Sequence, residues 1–385
     1  MSQRKLLFTP GPLTTSETVK QAMLRDVGSR DAEFLSVVSQ VRHRLLELGH
    51  AANGSYEAVL MQGTGTFAVE SVLTSAVPSS GKLLVASNGA YGHRLAEIAT
   101  VLGIACQTIV LEEARPVQGE HVRRALAEDP AITHVGVVHC ETSSGMLNPV
   151  VELGSSVREL GRIFIVDAMS SFGGIPIDIS EAKIDFLVSS ANKCLQGGPG
   201  FAFVLARRDL LEGSEGHARS VSLDLVAQWR EFERSGQFRF TAPTHALLAF
   251  RQALEELQEE GGIEARAARY SANQTALMEG MAELGFEAYL RPEHQSHFIT
   301  SFRFPSHRRF EFPTFYRRLS ELGFVIYPGK LSNAECFRIG TIGHIFPRDI
   351  RALVQAIRQV LGEMQVDPRA SSLESAGRMT TTGQP

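Results

Sequence analysis

Residues 162–174 read RIFIVDAMSSFGG, and residues 189–200 read SSANKCLQGGPG. The first stretch is an apolar run of strand length that ends on Asp167 and breaks at once into small residues and paired glycines. The second carries Lys193, also among small residues and glycines, just past the apolar run Asp185–Ser189. In an open parallel sheet, side chains at the carboxyl ends of strands face the ligand crevice, so an acid and an amine there are placed to work on a ligand. Each has a plainer use on its own: Asp167 as a turn cap, Lys193 as a surface lysine or one half of a structural ion pair.

Outward from these two segments, the apolar runs Glu57–Met61, Lys82–Asn88, Gln107–Leu111, His134–His139 and Phe201–Ala206 alternate with helical patterns such as Thr66–Val77, His93–Leu102 and Val151–Leu160. That alternation predicts an α/β fold: a doubly wound, mostly parallel sheet of seven strands with helices on both faces. A long helix, Thr244–Glu260, stops at the pair Gly261-Gly262, a sound helix end and a domain boundary. Beyond it the rhythm changes to helix Glu264–Leu284, strand Phe298–Phe304, helix Phe310–Leu322, strand Cys336–Ile339 and a closing amphipathic helix Pro347–Met364. The chain therefore divides into an N-terminal arm (1–20), a large α/β domain (21–262), a smaller α+β domain (263–365) and a polar, unpatterned tail (366–385) expected to be disordered. It contains no internal repeat.

Composition limits the partners. Of 385 residues 43% are hydrophobic and 21% charged, as in a globular chain with a substantial core. Thirty-eight basic residues against 42 acidic ones leave a net charge of -4, so a broad electrostatic attraction to nucleic acid or anionic membrane is not expected and small molecules are. No apolar run approaches the roughly 18–20 residues of a membrane helix. The start, MSQRKLLFTPGP, lacks a signal-peptide core, and the chain reads as cytoplasmic. Cys106, Cys140, Cys194 and Cys336 lie far apart without metal-ligand spacing, which predicts buried thiols rather than a disulfide framework or a zinc site.

Taken together, Asp167 and Lys193 supply two functions that a pyridoxal cofactor needs. One is an amine able to form a Schiff base, the other an anion that keeps the pyridine nitrogen protonated. The remaining strand ends are read around that pair. Gln62-Gly-Thr-Gly-Thr-Phe67 precedes a helix and offers backbone N–H groups and hydroxyls to a phosphate, though by itself it is equally a tight turn. Asn88-Gly-Ala-Tyr-Gly-His-Arg94 presents Tyr91, which either stacks on a planar ring or plugs a loop. His139-Cys-Glu-Thr-Ser-Ser-Gly145 suits a polar wall or a turn cap. Thr241, at the start of the long helix, binds a phosphate or caps that helix. Arg338 stands in an apolar strand, where a guanidinium needs a partner: an anionic ligand or an internal carboxylate.

The segments LLFTPGPLTTS, GTGTFAVES, NGAYGHR, HCETSSGMLNP, IVDAMSSFGG, SSANKCLQGGPGFAF, SLDL followed by QW, RFTAPTH, IYPGKL and CFRIGTIG stand in one order over roughly residues 5–365. In that order they resemble the class V, fold-type I pyridoxal-phosphate aminotransferases, with a likeness to the subgroup that acts on 2-aminoethylphosphonate. The resemblance implies pyridoxal 5'-phosphate held as a Schiff base on Lys193, which then shuttles a proton between substrate and cofactor. It also implies that Asp167 holds the pyridine nitrogen, Tyr91 stacks on the ring and Ser143 lines the polar edge. Gly65, Thr66 and Asn192 would contact the phosphate, with Thr241 contributed by the other subunit of a homodimer. Arg338 would take the acidic group of the substrate. Implied substrates are 2-aminoethylphosphonate and pyruvate; alanine or serine with glyoxylate is the nearest alternative, and a non-catalytic binding protein a more distant one. Arg30, in Asp26-Val-Gly-Ser-Arg-Asp31, is a second anion contact or a solvated arginine at a helix entry.

Overall fold

The computed structural model describes residues 5–369. A short strand β1 (Leu6–Leu7) and helices α1 (Glu17–Gln21) and α2 (Ala32–Leu48) come first. Strands and helices then alternate as β2 (Tyr56–Gln62), α3 (Gly65–Ala76), β3 (Lys82–Ser87), α4 (Ala90–Val101), β4 (Ala105–Val110), α5 (Gly119–Glu128) and β5 (His134–Val138). A small hairpin of β6 (Cys140–Glu141) and β7 (Met146–Leu147) leads to α6 (Val150–Glu159), β8 (Ile163–Asp167), β9 (Phe186–Ser190) and β10 (Phe201–Arg207). Helices α7 (Arg208–Gly213), α8 (Leu225–Ser235), α9 (Thr244–Glu260) and α10 (Gly262–Leu284) follow. The last part holds β11 (Ile299–Arg303), α11 (Phe312–Glu321), β12 (Phe324–Val325), β13 (Tyr327–Pro328), β14 (Cys336–Gly340) and α12 (Pro347–Met364).

Seven strands form the main sheet in the order β2-β10-β9-β8-β5-β3-β4. All residues of β5 and β9 are buried, as continuous apolar strands covered on both faces should be. Neighbours pair in parallel from β9 through β8, β5 and β3 to β4, while β10 runs antiparallel to both β9 and β2. Only residues 191–200 join β9 to β10. That is too short for the helical crossover a parallel partner would need, so the chain doubles back. Because β10 reverses and β2 reverses again, the carboxyl ends of β2, β3, β5, β8 and β9 all emerge along one edge of the sheet.

Helix ends follow local chemistry. Asp224 accepts the Ala227 N–H at the start of α8 (2.9 Å), and α9 ends at Gly261 in the left-handed conformation (φ 107°), the helix stop expected of the paired glycines. Helices α9 and α12 begin and end at the residues read from the sequence. The sequence reading gave no bounds for helices α1, α2, α5, α7 and α8.

Two large apolar cores result, with two smaller clusters beside them. The first fills both faces of the main sheet. The second gathers Leu277, Phe302, Phe315, Phe337 and Ile357 around the antiparallel sheet β11-β14-β13. Phe8 belongs to this second core, and β1 pairs in parallel with β12, so the N-terminal segment is tied to the C-terminal part of the chain before it enters the large sheet. Val366 is buried in the same core; the rest of the tail expected from 366, from residue 370 on, lies outside the described residues. All four cysteines are unpaired, with Cys140, Cys194 and Cys336 buried and Cys106 partly so. Among the described residues no helix is long and apolar enough to cross a membrane, and no cluster of His, Cys, Asp and Glu could hold a metal ion.

Candidate active site

The strand ends converge on a cavity of about 280 Å³ whose wall includes Gly65, Thr66, Tyr91, Asp167, Asn192 and Lys193. Asp167 is the last residue of β8, and Lys193 sits in the short return between β9 and β10. The two strands are hydrogen-bonded neighbours, which brings together an acid and an amine 26 residues apart in sequence.

Burial shifts the proton affinity of both. The Asp167 carboxyl is pushed up to about 6, opposed by the Met169 N–H that its Oδ1 accepts at 2.9 Å. The Lys193 amine is pulled below its ordinary value, again chiefly by burial. Lys193 Nζ donates to the Pro10 carbonyl at 2.7 Å and to the Gly11 carbonyl at 3.4 Å. Gly11 has φ 110°, and a Cβ there would lie 2.7 Å from Lys193 Cδ, so only glycine lets the N-terminal segment lie this close to the lysine.

Helix α3 begins at the cavity, with Thr64 as its N-cap and no side chain capping its first N–H groups. Gly65 and Thr66 therefore present backbone donors and a hydroxyl at the positive end of a helix. Arg94 reaches the same place, its Nη1 lying 3.4 Å from Thr66 Oγ1. The Tyr91 ring forms another part of the wall, with the Arg94 guanidinium 4.9 Å from its centroid and the Lys330 ammonium 4.1 Å away.

Tyr91 is held from below by Glu141. Glu141 Oε2 accepts the N–H groups of Tyr91 (3.0 Å) and Gly92 (3.2 Å), capping α4 from another part of the chain, and Oε1 accepts the Ser143 hydroxyl at 2.6 Å. Ser143 is thus fully buried on Glu141 and is not part of the cavity wall; Cys140 and Thr142 face the cavity from that segment. Thr241 is exposed and outside the cavity of its own chain. Arg30 is exposed as well and not on the cavity wall.

Arg338 is only 6% exposed. Its Nε donates to the Pro328 carbonyl and its Nη1 to the Thr142 carbonyl, both at 2.9 Å. No carboxylate pairs with it among the described residues, so the internal salt bridge left open by the sequence does not form. Arg338 is not itself on the cavity wall; its bond to Thr142 sets the guanidinium next to a wall residue and leaves donors on the fork uncommitted.

The model of the family described as aminotransferase class-V matches residues 14–319. The chain belongs to the class-V aminotransferases. Among its relatives, a 2-aminoethylphosphonate–pyruvate transaminase of Syntrophobacter fumaroxidans is 54% identical over 92% of this chain and 96% of the relative. A protein of the same name from Vibrio vulnificus is 53% identical over 94% of this chain and 99% of its own. Solved structures similar to this one include an alanine–glyoxylate aminotransferase from Nostoc sp., with TM-score 0.86 and 26% identity over 94% of this chain and 96% of that one. A pyridoxamine–pyruvate aminotransferase from Mesorhizobium loti shares the fold at TM-score 0.86 and 22% identity, covering 98% of each chain.

The donor set of this class-V aminotransferase fits pyridoxal 5'-phosphate. A planar ring would find an aromatic wall in Tyr91, its nitrogen a buried carboxyl in Asp167, its aldehyde an amine in Lys193, and its phosphate the start of α3 with Thr66 and Asn192. Three contributors escaped the sequence reading. Glu141 acts through the backbone of Tyr91, Pro10 through a carbonyl, and Arg94 through a side chain on the helix after the aromatic residue. Of these, Arg94 left a signal as a cation one helical turn beyond Tyr91, and Glu141 as the carboxylate in the segment read as a polar wall or turn cap.

Proposed function

We propose that this class-V aminotransferase moves the amino group of 2-aminoethylphosphonate to pyruvate, giving phosphonoacetaldehyde and alanine. The observation that carries this reading is Arg338: a buried guanidinium without a carboxylate partner among the described residues, bonded to the carbonyl of Thr142, a residue on the wall of the cavity that holds Lys193. Relatives more than half identical over nearly their full length bear the same activity in their names.

Pyridoxal 5'-phosphate would supply, when bound, an aldehyde to accept the amine and a protonated ring to withdraw electrons from the carbon that bore it. Lys193 would hold the cofactor through its amine and, when that amine is free, would move the proton of the amine-bearing carbon of the donor. Asp167 keeps the proton on the pyridine nitrogen. Tyr91 fixes the plane of the ring, and Gly65, Thr66 and Asn192 anchor its phosphate. Arg338 binds the phosphonate of the donor and then the carboxylate of pyruvate, each able to accept two parallel hydrogen bonds.

A homodimer in the cytoplasm belongs to the same reading, with Thr241 of a second copy completing the phosphate site. Phe67 and Phe240 support it: rings beside Thr66 and Thr241 that are 49% and 47% exposed, apolar area that a second copy would cover. Light scattering should then give twice the 42.1 kDa chain mass, and a monomer would exclude the shared site.

Half-reaction spectroscopy tests the substrate. 2-Aminoethylphosphonate, but not serine, should convert the holoenzyme to its pyridoxamine form, and Arg338→Ala should weaken that conversion about 100-fold. That loss corresponds to about 3 kcal/mol for charge-assisted hydrogen bonds. Preference for serine would replace the reading by an alanine/serine–glyoxylate activity, and no response to any amine would leave a binding protein.

A further inference from the structure

Beyond Arg338, which is bonded to Thr142 of the cavity wall, a second cation lies against Tyr91 of the same wall. Strand β13 runs into Gly329-Lys330-Leu331, and this loop is pinned at both ends. On one side Gly329 packs so closely on β14 that a Cβ would lie 2.3 Å from the Cys336 carbonyl. On the other, Glu113 accepts the Ser332 N–H with its two carboxylate oxygens at 3.1 and 3.2 Å. Lys330 is thereby held with its ammonium 4.1 Å from the centroid of the Tyr91 ring, which forms part of the cavity wall, while Lys330 itself lines a neighbouring pocket with Glu113, Leu331 and Ser332. Arg338 reaches the same neighbourhood through the Pro328 carbonyl, two residues before Lys330.

Neither cation has a carboxylate partner among the described residues; Glu113 is engaged with the backbone of the loop instead. The Tyr91 hydroxyl feels the result. Burial would raise it, but the charges of Lys330 and Lys193, with Arg338 adding to them, bring it below its ordinary value. Two unpaired cations at a partly buried site repel each other and lose hydration, a cost that only an anion can offset. A carboxylate brings one negative charge, which one guanidinium matches. A phosphonate near neutral pH carries close to two.

We propose that Lys330 is a specificity-determining residue that supplies the second positive charge for the phosphonate, favouring an aminoalkylphosphonate donor over amines that carry a carboxylate. This inference rests on the donor assigned above. The alternative use of Lys330 is to cover the Tyr91 ring as a cation–π partner, in which case its loss would affect every substrate alike.

Stopped-flow measurement of both half-reactions on the holoenzyme separates the two. Lys330→Gln should raise the half-saturating concentration of 2-aminoethylphosphonate at least tenfold, while that of alanine, which enters the reverse half-reaction as a carboxylate, changes less than threefold. Lys330→Arg should restore most of the phosphonate affinity. Equal weakening of both substrates, or no change in either, would overturn the role given to Lys330. A wild-type enzyme that responds to alanine but not to 2-aminoethylphosphonate would instead remove the assigned donor, a failure visible before any variant is made.

Discussion

Lys193→Ala will bring turnover down by at least about 10⁴-fold, the upper range of what one positioned proton-transfer group contributes, with the loss of covalent attachment added to it. The amine is singled out by its surroundings. Burial lowers its proton affinity, and the Pro10 carbonyl holds it at 2.7 Å in a fixed direction, so it is available as a nucleophile and then as a base at one defined place. The substitution removes a side chain from a cavity wall and leaves both cores untouched, so the fold should survive. Two measurements check this. Borohydride treatment of the wild type followed by peptide mapping should leave a pyridoxyl adduct on Lys193, and a small primary amine added to the variant should recover part of the activity. Wild-type turnover in Lys193→Ala, or an adduct on another lysine, would overturn the assignment.

Asp167→Asn should lower turnover about 10³-fold, a loss of the size seen when one preorganised electrostatic contact is removed. Asparagine keeps the shape and can still accept the Met169 N–H, so the change isolates the charge. In the cofactor-free protein the same substitution stabilises. Burial raises the carboxyl from 3.8 to about 6, so the folded state binds the proton more tightly than the unfolded chain does. Below about pH 4 both states are protonated and there is no penalty. As pH rises through about 6 the wild type loses roughly 3 kcal/mol that the asparagine variant keeps, at about 1.4 kcal/mol per pH unit. Urea unfolding at about pH 4 and pH 7 reads this directly: the variant's advantage should grow by that amount, and a difference independent of pH would show that Asp167 is not a desolvated carboxylate.

Much of this site was legible in the linear chain. Asp167 and Lys193 each follow an apolar strand and precede glycines, and side chains in that position collect at one edge of a parallel sheet whatever the detailed packing. Arg338 stood out for a different reason, since a guanidinium inside an apolar strand needs a partner, and the partners the fold supplies are the carbonyls of Pro328 and Thr142. The segment 139–145 shows where such reading stops. Its residues alternate across a short hairpin, and pattern alone does not say which of them face the cavity: Thr142 does, while Ser143 points at Glu141. Strand direction was partly hidden as well, because the reversal of β10 depends on the absence of a helix between residues 191 and 200 rather than on any residue within the strand.

Periodicity, glycine stops and strand-end chemistry are properties of neighbours in the chain, and they were enough to settle the α/β class, the helix from Thr244 to Glu260 and the acid–amine pair. The contacts that complete the site join residues far apart in sequence: Lys193 with Pro10, Tyr91 with Glu141, and Tyr91 with Lys330. Those depend on how the N-terminal segment, the β6–β7 hairpin and the β13–β14 loop pack against the sheet. Only the folded chain decides them, because backbone carbonyls and the ends of long side chains find their partners after the apolar faces have chosen theirs.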